Sequence, residues 1–195
     1  FSKEQIFLIT AILGTTISPY LFFWETSQEV EEEIAEGRTT VHSRRGTNLA
    51  EVKKMRSDIW TGMFLSNLIM FFIIAVCANT LFVNGITNID TAADAALALL
   101  PFAGSFAIIL FAIGIVGTGL LAVPVLAGST SYAISESFGW KEGLYRKFKK
   151  AKAFYLIIMF SIVVGIFTNF MGLHPIKTLI YSAIVNGVIA PIIII

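Results

Sequence analysis

Gly14-Thr15-Thr16-Ile17-Ser18-Pro19-Tyr20-Leu21-Phe22-Phe23-Trp24-Glu25 sets a proline in the middle of an apolar run that covers residues 5–27. A run of that length forms a helix able to cross a bilayer core about 30 Å thick. Proline has no N–H to give to the carbonyl four residues back, here that of Thr15, and its ring clashes with it. It also pushes Ser18 away from helical backbone angles. The span is therefore expected to break at Pro19, beside Gly14, two threonines and a serine. Non-helical backbone at membrane depth is tolerated only where protein buries it or where it lines a wet cavity. Two readings follow from the residues alone. One is an ion site of the kind built from broken helices; the other is a plain proline kink whose polar groups are taken up by Ser and Thr hydroxyls.

The rest of the chain fits a membrane setting. Of its 195 residues, 56% are apolar and only 14% charged, with a mean hydropathy of +0.80. Soluble domains carry about 25% charged residues. This composition excludes a soluble enzyme, and it excludes disorder, which goes with low hydrophobicity and high net charge. A net charge of +1 leaves no footprint for nucleic acid. Four further apolar stretches, about 60–83, 97–134, 153–172 and 176–195, bring the expected spans to five. The third is too long for one span and is expected to include a tilted or broken helix around Pro124, with a polar exit at Ser129, Thr130 and Ser131. Strict alternation is absent and the runs are far longer than barrel strands, so the fold is all-α and polytopic.

Charge placement gives the topology. Six of the 14 Lys and Arg lie in the first connection (29–58) and six in the third (135–152), whereas the second has none. Under the positive-inside rule these two connections are cytoplasmic and the chain starts outside. A chain that starts at Phe1 and stops inside an apolar stretch is expected to be a piece of a longer protein, 1–195 being one transmembrane domain fragment. Five spans entering from outside suit the second half of a transporter built from two inverted repeats.

The broken span also carries a resemblance. Gly14 to Glu25, above all Ile17-Ser18-Pro19-Tyr20-Leu21-Phe22-Phe23-Trp24, resembles the sixth helix of the natural-resistance-associated macrophage protein (Nramp) family of divalent-metal transporters, in its bacterial Nramp-related branch. The similarity continues through Gly117-Thr118-Gly119 to Ser131 and through Ile176-Lys177-Thr178-Leu179-Ile180-Tyr181-Ser182. It implies helices six to ten of a leucine-transporter-type inverted-repeat fold in the plasma (bacterial inner) membrane. It also implies secondary transport of divalent ions of the Mn, Fe or Mg type by alternating access. On this resemblance the metal is the substrate, no cofactor is needed, and a proton is the candidate coupling ion. The partners are the bilayer and the N-terminal half of the same protein, which holds the other side of the metal site.

Carried over by position, Thr15 matches the residue whose backbone carbonyl coordinates metal, in agreement with the proline argument. Ser18 falls where well-studied members place a methionine thioether. Soft sulfur favours late transition metals, whereas a hydroxyl offers only hard oxygen, so the expected site is oxygen-rich and weakly selective against Mg²⁺. Tyr20 and Glu25 stand where typical members have two histidines linked to proton handling.

Glu25 is either an ionisable group in the ion pathway or the interfacial start of the acidic run Glu29 to Glu36, which reads as a solvated helical extension. Asn186, beside Gly187 in the last span, either faces the ion path or bridges two helices. Gly117-Thr118-Gly119-Leu120-Leu121-Ala122 fits a dinucleotide fingerprint, but no strand precedes it; with Gly114, its residues read as close helix packing. His42 and His174 fall on opposite sides of the membrane in this topology, and no nucleophile with an acid–base partner emerges, so catalysis has no support. An amino-acid or organic-cation symporter on the same fold, or a non-transporting membrane scaffold, are the alternatives.

Overall fold

Helices follow the apolar runs. The computed structural model describes residues 2–16, 19–86, 89, 91–104, 106–172 and 174–194. The helices are α1 (Lys3–Thr16), α2 (Pro19–Ala35), α3 (Leu49–Cys77), α4 (Ala92–Ala103), α5 (Phe106–Ser137), α6 (Lys152–Phe170) and α7 (Pro175–Ile194). No strand occurs among the described residues. Among the described residues, three helical stretches are long and apolar enough to cross a membrane: Leu49–Phe82, Ile108–Ser137 and Pro175–Ile192. The remaining apolar helices are shorter, α6 among them.

Two compact units make up the chain, one of residues 1–32 with 111–195 and the other of residues 33–110. In the second unit, Asn48 caps α3 by accepting from the Glu51 amide at 2.8 Å, while the Glu51 carboxylate accepts from the Asn48 amide at 3.1 Å. This reciprocal arrangement satisfies donors that a helix start leaves open. Thr91 and Asp94 repeat it at the start of α4. The last turn of α3 widens into a π-helical segment, Ala78–Phe82. Asn67 on α3 bonds the Met63 carbonyl, and Asn79 in the π-helical segment bonds the Ala75 carbonyl, each four residues back.

The long third stretch divides differently from the expectation. α5 runs unbroken through Pro124, and the interruption falls after α4, at Gly104. Gly104 takes φ +70°, a region that costs a glycine nothing and other residues much. A proline removes one hydrogen bond from a helix, which neighbouring groups in a membrane protein can replace. It was the weaker breaker of the two.

In the first unit, α1 lies against α7 with its small residues inward. Ala11 and Gly14 on α1 and Ala183 and Ala190 on α7 are buried. A Cβ placed on Gly14 would run into the Ala183 carbonyl and the Gly187 backbone, and one on Gly187 would run into the Thr10 carbonyl. Small residues allow such backbone approach, which is where membrane helices gain their packing contacts. Gly114, Gly117 and Gly119 differ: a Cβ on any of them meets nothing within 4 Å. The close packing expected there is found instead at Gly14 and Gly187.

Gly14→Ala in the full-length protein should therefore lower stability by about 1–3 kcal/mol, the usual cost of overpacking. Gly117→Ala should be neutral or slightly stabilising, because alanine is the better helix former by about 1 kcal/mol. Thermal unfolding in detergent compares the two; equal midpoints would contradict the contact.

Candidate functional site: the break between α1 and α2

α1 ends at Thr16 and α2 begins at Pro19. Proline suits the first turn of a helix, where its missing N–H costs little. The two hydroxyls that close α1 both turn back on their own helix: Thr15 Oγ1 donates to the Ile12 carbonyl at 2.8 Å and Thr16 Oγ1 to the same carbonyl at 2.9 Å. Ser18, the candidate ligand, lies outside the described residues.

The two sides of the break are held by different partners. Gly14 fixes the end of α1 to α7 at Gly187, and Asn186 is the next residue along. Asn186 is part-buried and makes no side-chain hydrogen bond among the described residues. On the other side, the Tyr20 carbonyl accepts a hydrogen bond from the Ser129 hydroxyl of α5. One turn later the Trp24 ring lies over Gly128, where a Cβ would strike it. Trp24 meets Tyr132 edge-on at 6.2 Å, and Tyr132 meets the fully buried Phe154 of α6 at 4.7 Å. Ser131 Oγ donates to the Phe154 carbonyl at 2.6 Å.

Ser129 and Ser131 are thus no polar exit. Both are buried, at 1% and 0% exposure, and their hydroxyls tie α5 to the backbones of α2 and α6. Burial of a hydroxyl is costly unless it is bonded, and here each finds a carbonyl. The run of small residues at Ala127-Gly128-Ser129 was the signal for this seam, since it leaves room for Trp24.

The acidic run also divides. Glu31 accepts from Tyr132 Oη at 2.6 Å and from the Leu144 and Tyr145 amides at 2.6 and 3.0 Å. It thereby pins the connection after α5 to α2. In the second unit, Glu33 pairs with Arg38 at 3.4 Å and with Arg44 at 3.9 Å. Neither acid belongs to a merely solvated face. Glu25 is exposed on α2, about 9 Å along the axis from Pro19 at 1.5 Å per residue, and it enters no ion pair among the described residues.

No group of three or more His, Cys, Asp and Glu comes together among the described residues. The donors this region can offer a cation are carbonyl and hydroxyl oxygens, which suit hard and borderline divalent ions. A cavity of about 740 Å³ opens among α5, α6 and α7, with Leu126, Ile162 and Thr178 in its wall. Its lining contains no charged side chain and none of the residues of the break.

Three membrane-length apolar helices, with no strand among the described residues, point to an integral membrane protein. The profile of the Nramp family, described as natural resistance-associated macrophage protein-like, matches residues 1–195, and the chain belongs to that family. No curated protein and no solved structure matches it. Membership brings a leucine-transporter-type fold and indicates transport of divalent metal ions; the family's members are transporters and not enzymes.

In the connection after α5, partial burial and the nearby Glu136 raise the pKa of Glu142, which Arg146 only partly offsets. The folded protein therefore holds this proton more tightly than the unfolded chain does. Stability is then complete below the ordinary glutamate pKa of about 4.3 and is lost as pH rises from there through the raised folded value. Glu142→Gln should leave the thermal midpoint unchanged near pH 4 and raise it near pH 7.5. A shift of the same size at both pH values would sink this account.

Proposed function

We propose that the chain is the second five-helix repeat of a secondary transporter, and that it moves divalent metal ions of the Mn, Fe or Mg type across the plasma membrane by alternating access. In this reading the Thr15 carbonyl and the Ser18 side chain supply oxygen ligands at the break between α1 and α2. The observation that carries the proposal is that break itself, placed by Pro19 within a chain of the Nramp family. Its position between two separately anchored helices supports the reading, because a mid-membrane site needs ligands from backbone that is irregular yet held. Tyr20 and Glu25 stand on the α2 side of the site and Asn186 on the α7 side; Glu25, exposed and ionisable, is the candidate for proton coupling.

An all-oxygen contribution from this half predicts weak selectivity. In proteoliposomes holding the full-length protein, Mn²⁺ uptake should saturate and excess Mg²⁺ should suppress it. Ser18→Met should relieve that suppression and raise the preference for Mn²⁺ or Cd²⁺ about tenfold, which corresponds to about 1.4 kcal/mol. Saturable Mn²⁺ uptake indifferent to Mg²⁺ in both proteins would remove Ser18 from the ligand set. Absence of Mn²⁺ uptake would remove the transport proposal itself.

A further inference from the structure

The segment from Phe138 to Lys152, between α5 and α6, carries six basic residues against the single acid Glu142, a net charge of +5. Lys141, Lys147, Lys149, Lys150 and Lys152 are all exposed, and none enters an ion pair among the described residues. The connection between α2 and α3 provides the contrast. There Arg38 meets Glu33, Glu36 and Glu51 at 3.4, 3.7 and 2.7 Å, and Arg44 meets Glu33. The first connection pairs two of its arginines with its own acids; the other leaves its lysines open.

This basic segment is also folded. Glu31 holds its Leu144 and Tyr145 amides, and Tyr155 Oη donates to the Arg146 carbonyl at 2.7 Å and the Leu144 carbonyl at 3.2 Å. Gly143, at φ +116°, lets the backbone turn against the Tyr145 ring. Lys147 to Lys150 then close a single 3₁₀ turn, with the Lys150 amide on the Lys147 carbonyl at 2.8 Å. Beside the lysines, Phe138 and Trp140 stack at 5.0 Å and remain exposed, as does Phe148. All of this begins one residue after a membrane-length apolar helix ends at Ser137.

We propose that this segment is a docking surface for anionic phospholipid headgroups. Orientation during insertion needs only the count of Lys and Arg. It requires neither a pinned backbone nor exposed aromatic rings among the charges. A lipid surface fits both, since phosphate groups attract the lysines and the headgroup level accommodates amphipathic and aromatic rings. The rigid attachment to Glu31 means that whatever binds here bears on α2.

The test uses the full-length protein in phosphatidylcholine vesicles containing phosphatidylglycerol, with one or the other lipid brominated to quench nearby tryptophan. The signal of Trp140 is the difference between the wild type and Trp140→Phe. At equal mole fraction, brominated phosphatidylglycerol should quench Trp140 more strongly than brominated phosphatidylcholine. K147Q/K149Q/K150Q should reduce that preference by roughly tenfold or more. Raising NaCl from about 50 to about 500 mM should weaken it in the unaltered protein, because salt screens exposed charge; this arm needs no variant to fold. Equal quenching by the two lipids, or a preference that survives both the triple substitution and high salt, would overturn the proposal.

Discussion

The backbones of α1 and α7 meet at Gly14 and Gly187 with no space for a side chain between them, and the placement of the broken span depends on that contact. Within a membrane, helices gain little from the hydrophobic effect on meeting one another, so close approach and the dispersion it brings must do the joining. Glycine and alanine on both faces make the approach possible. α1 is thereby fixed up to its final turn, where Thr15 and Thr16 bond back to Ile12.

α2 is fixed by other means. A ring on a glycine, a hydroxyl on a carbonyl and a carboxylate on two amides attach it to α5 and to the connection beyond. These contacts are polar or aromatic and directional, unlike the smooth face that joins α1 to α7. The buried hydroxyls of Ser129 and Ser131 carry a desolvation cost that only their bonds offset, so the seam tolerates few alternative residues. Glu31 extends the same attachment to the connection after α5, where two of its three hydrogen bonds hold the backbone of a strongly basic segment.

Much of this was legible in the sequence, for physical reasons specific to each element. Composition and run length were enough for an all-helical membrane protein, because a chain in lipid must satisfy its backbone within each segment. Pro19 was readable because a missing N–H acts wherever the residue stands, and α2 does begin there. At Pro124 only the break is excluded: α5 continues through it, and the interruption of the long third stretch depends on a backbone angle at Gly104 that no pattern of hydropathy reports. Gly114 and Gly117 looked like packing glycines, but spacing along one helix does not say whether a neighbour faces it. The average of the acidic run suggests a solvated face, whereas Glu31 and Glu33 each act through a partner distant in sequence or beyond the helix end. Ligands supplied by backbone carbonyls leave no side-chain signature, so the proposed ion site rests on the proline and the family resemblance alone.

The central claim is that the break at Ser18 and Pro19 is where the metal binds. Alkylation of Ser18→Cys in the otherwise full-length protein, followed with and without Mn²⁺, tests it most directly. The account predicts that Mn²⁺ slows modification of this cysteine severalfold, while a cysteine at Thr118, away from the break on α5, reacts at an unchanged rate. Modification of Ser18→Cys at the same rate with and without saturating Mn²⁺, in protein that still takes up the ion, would place the metal elsewhere.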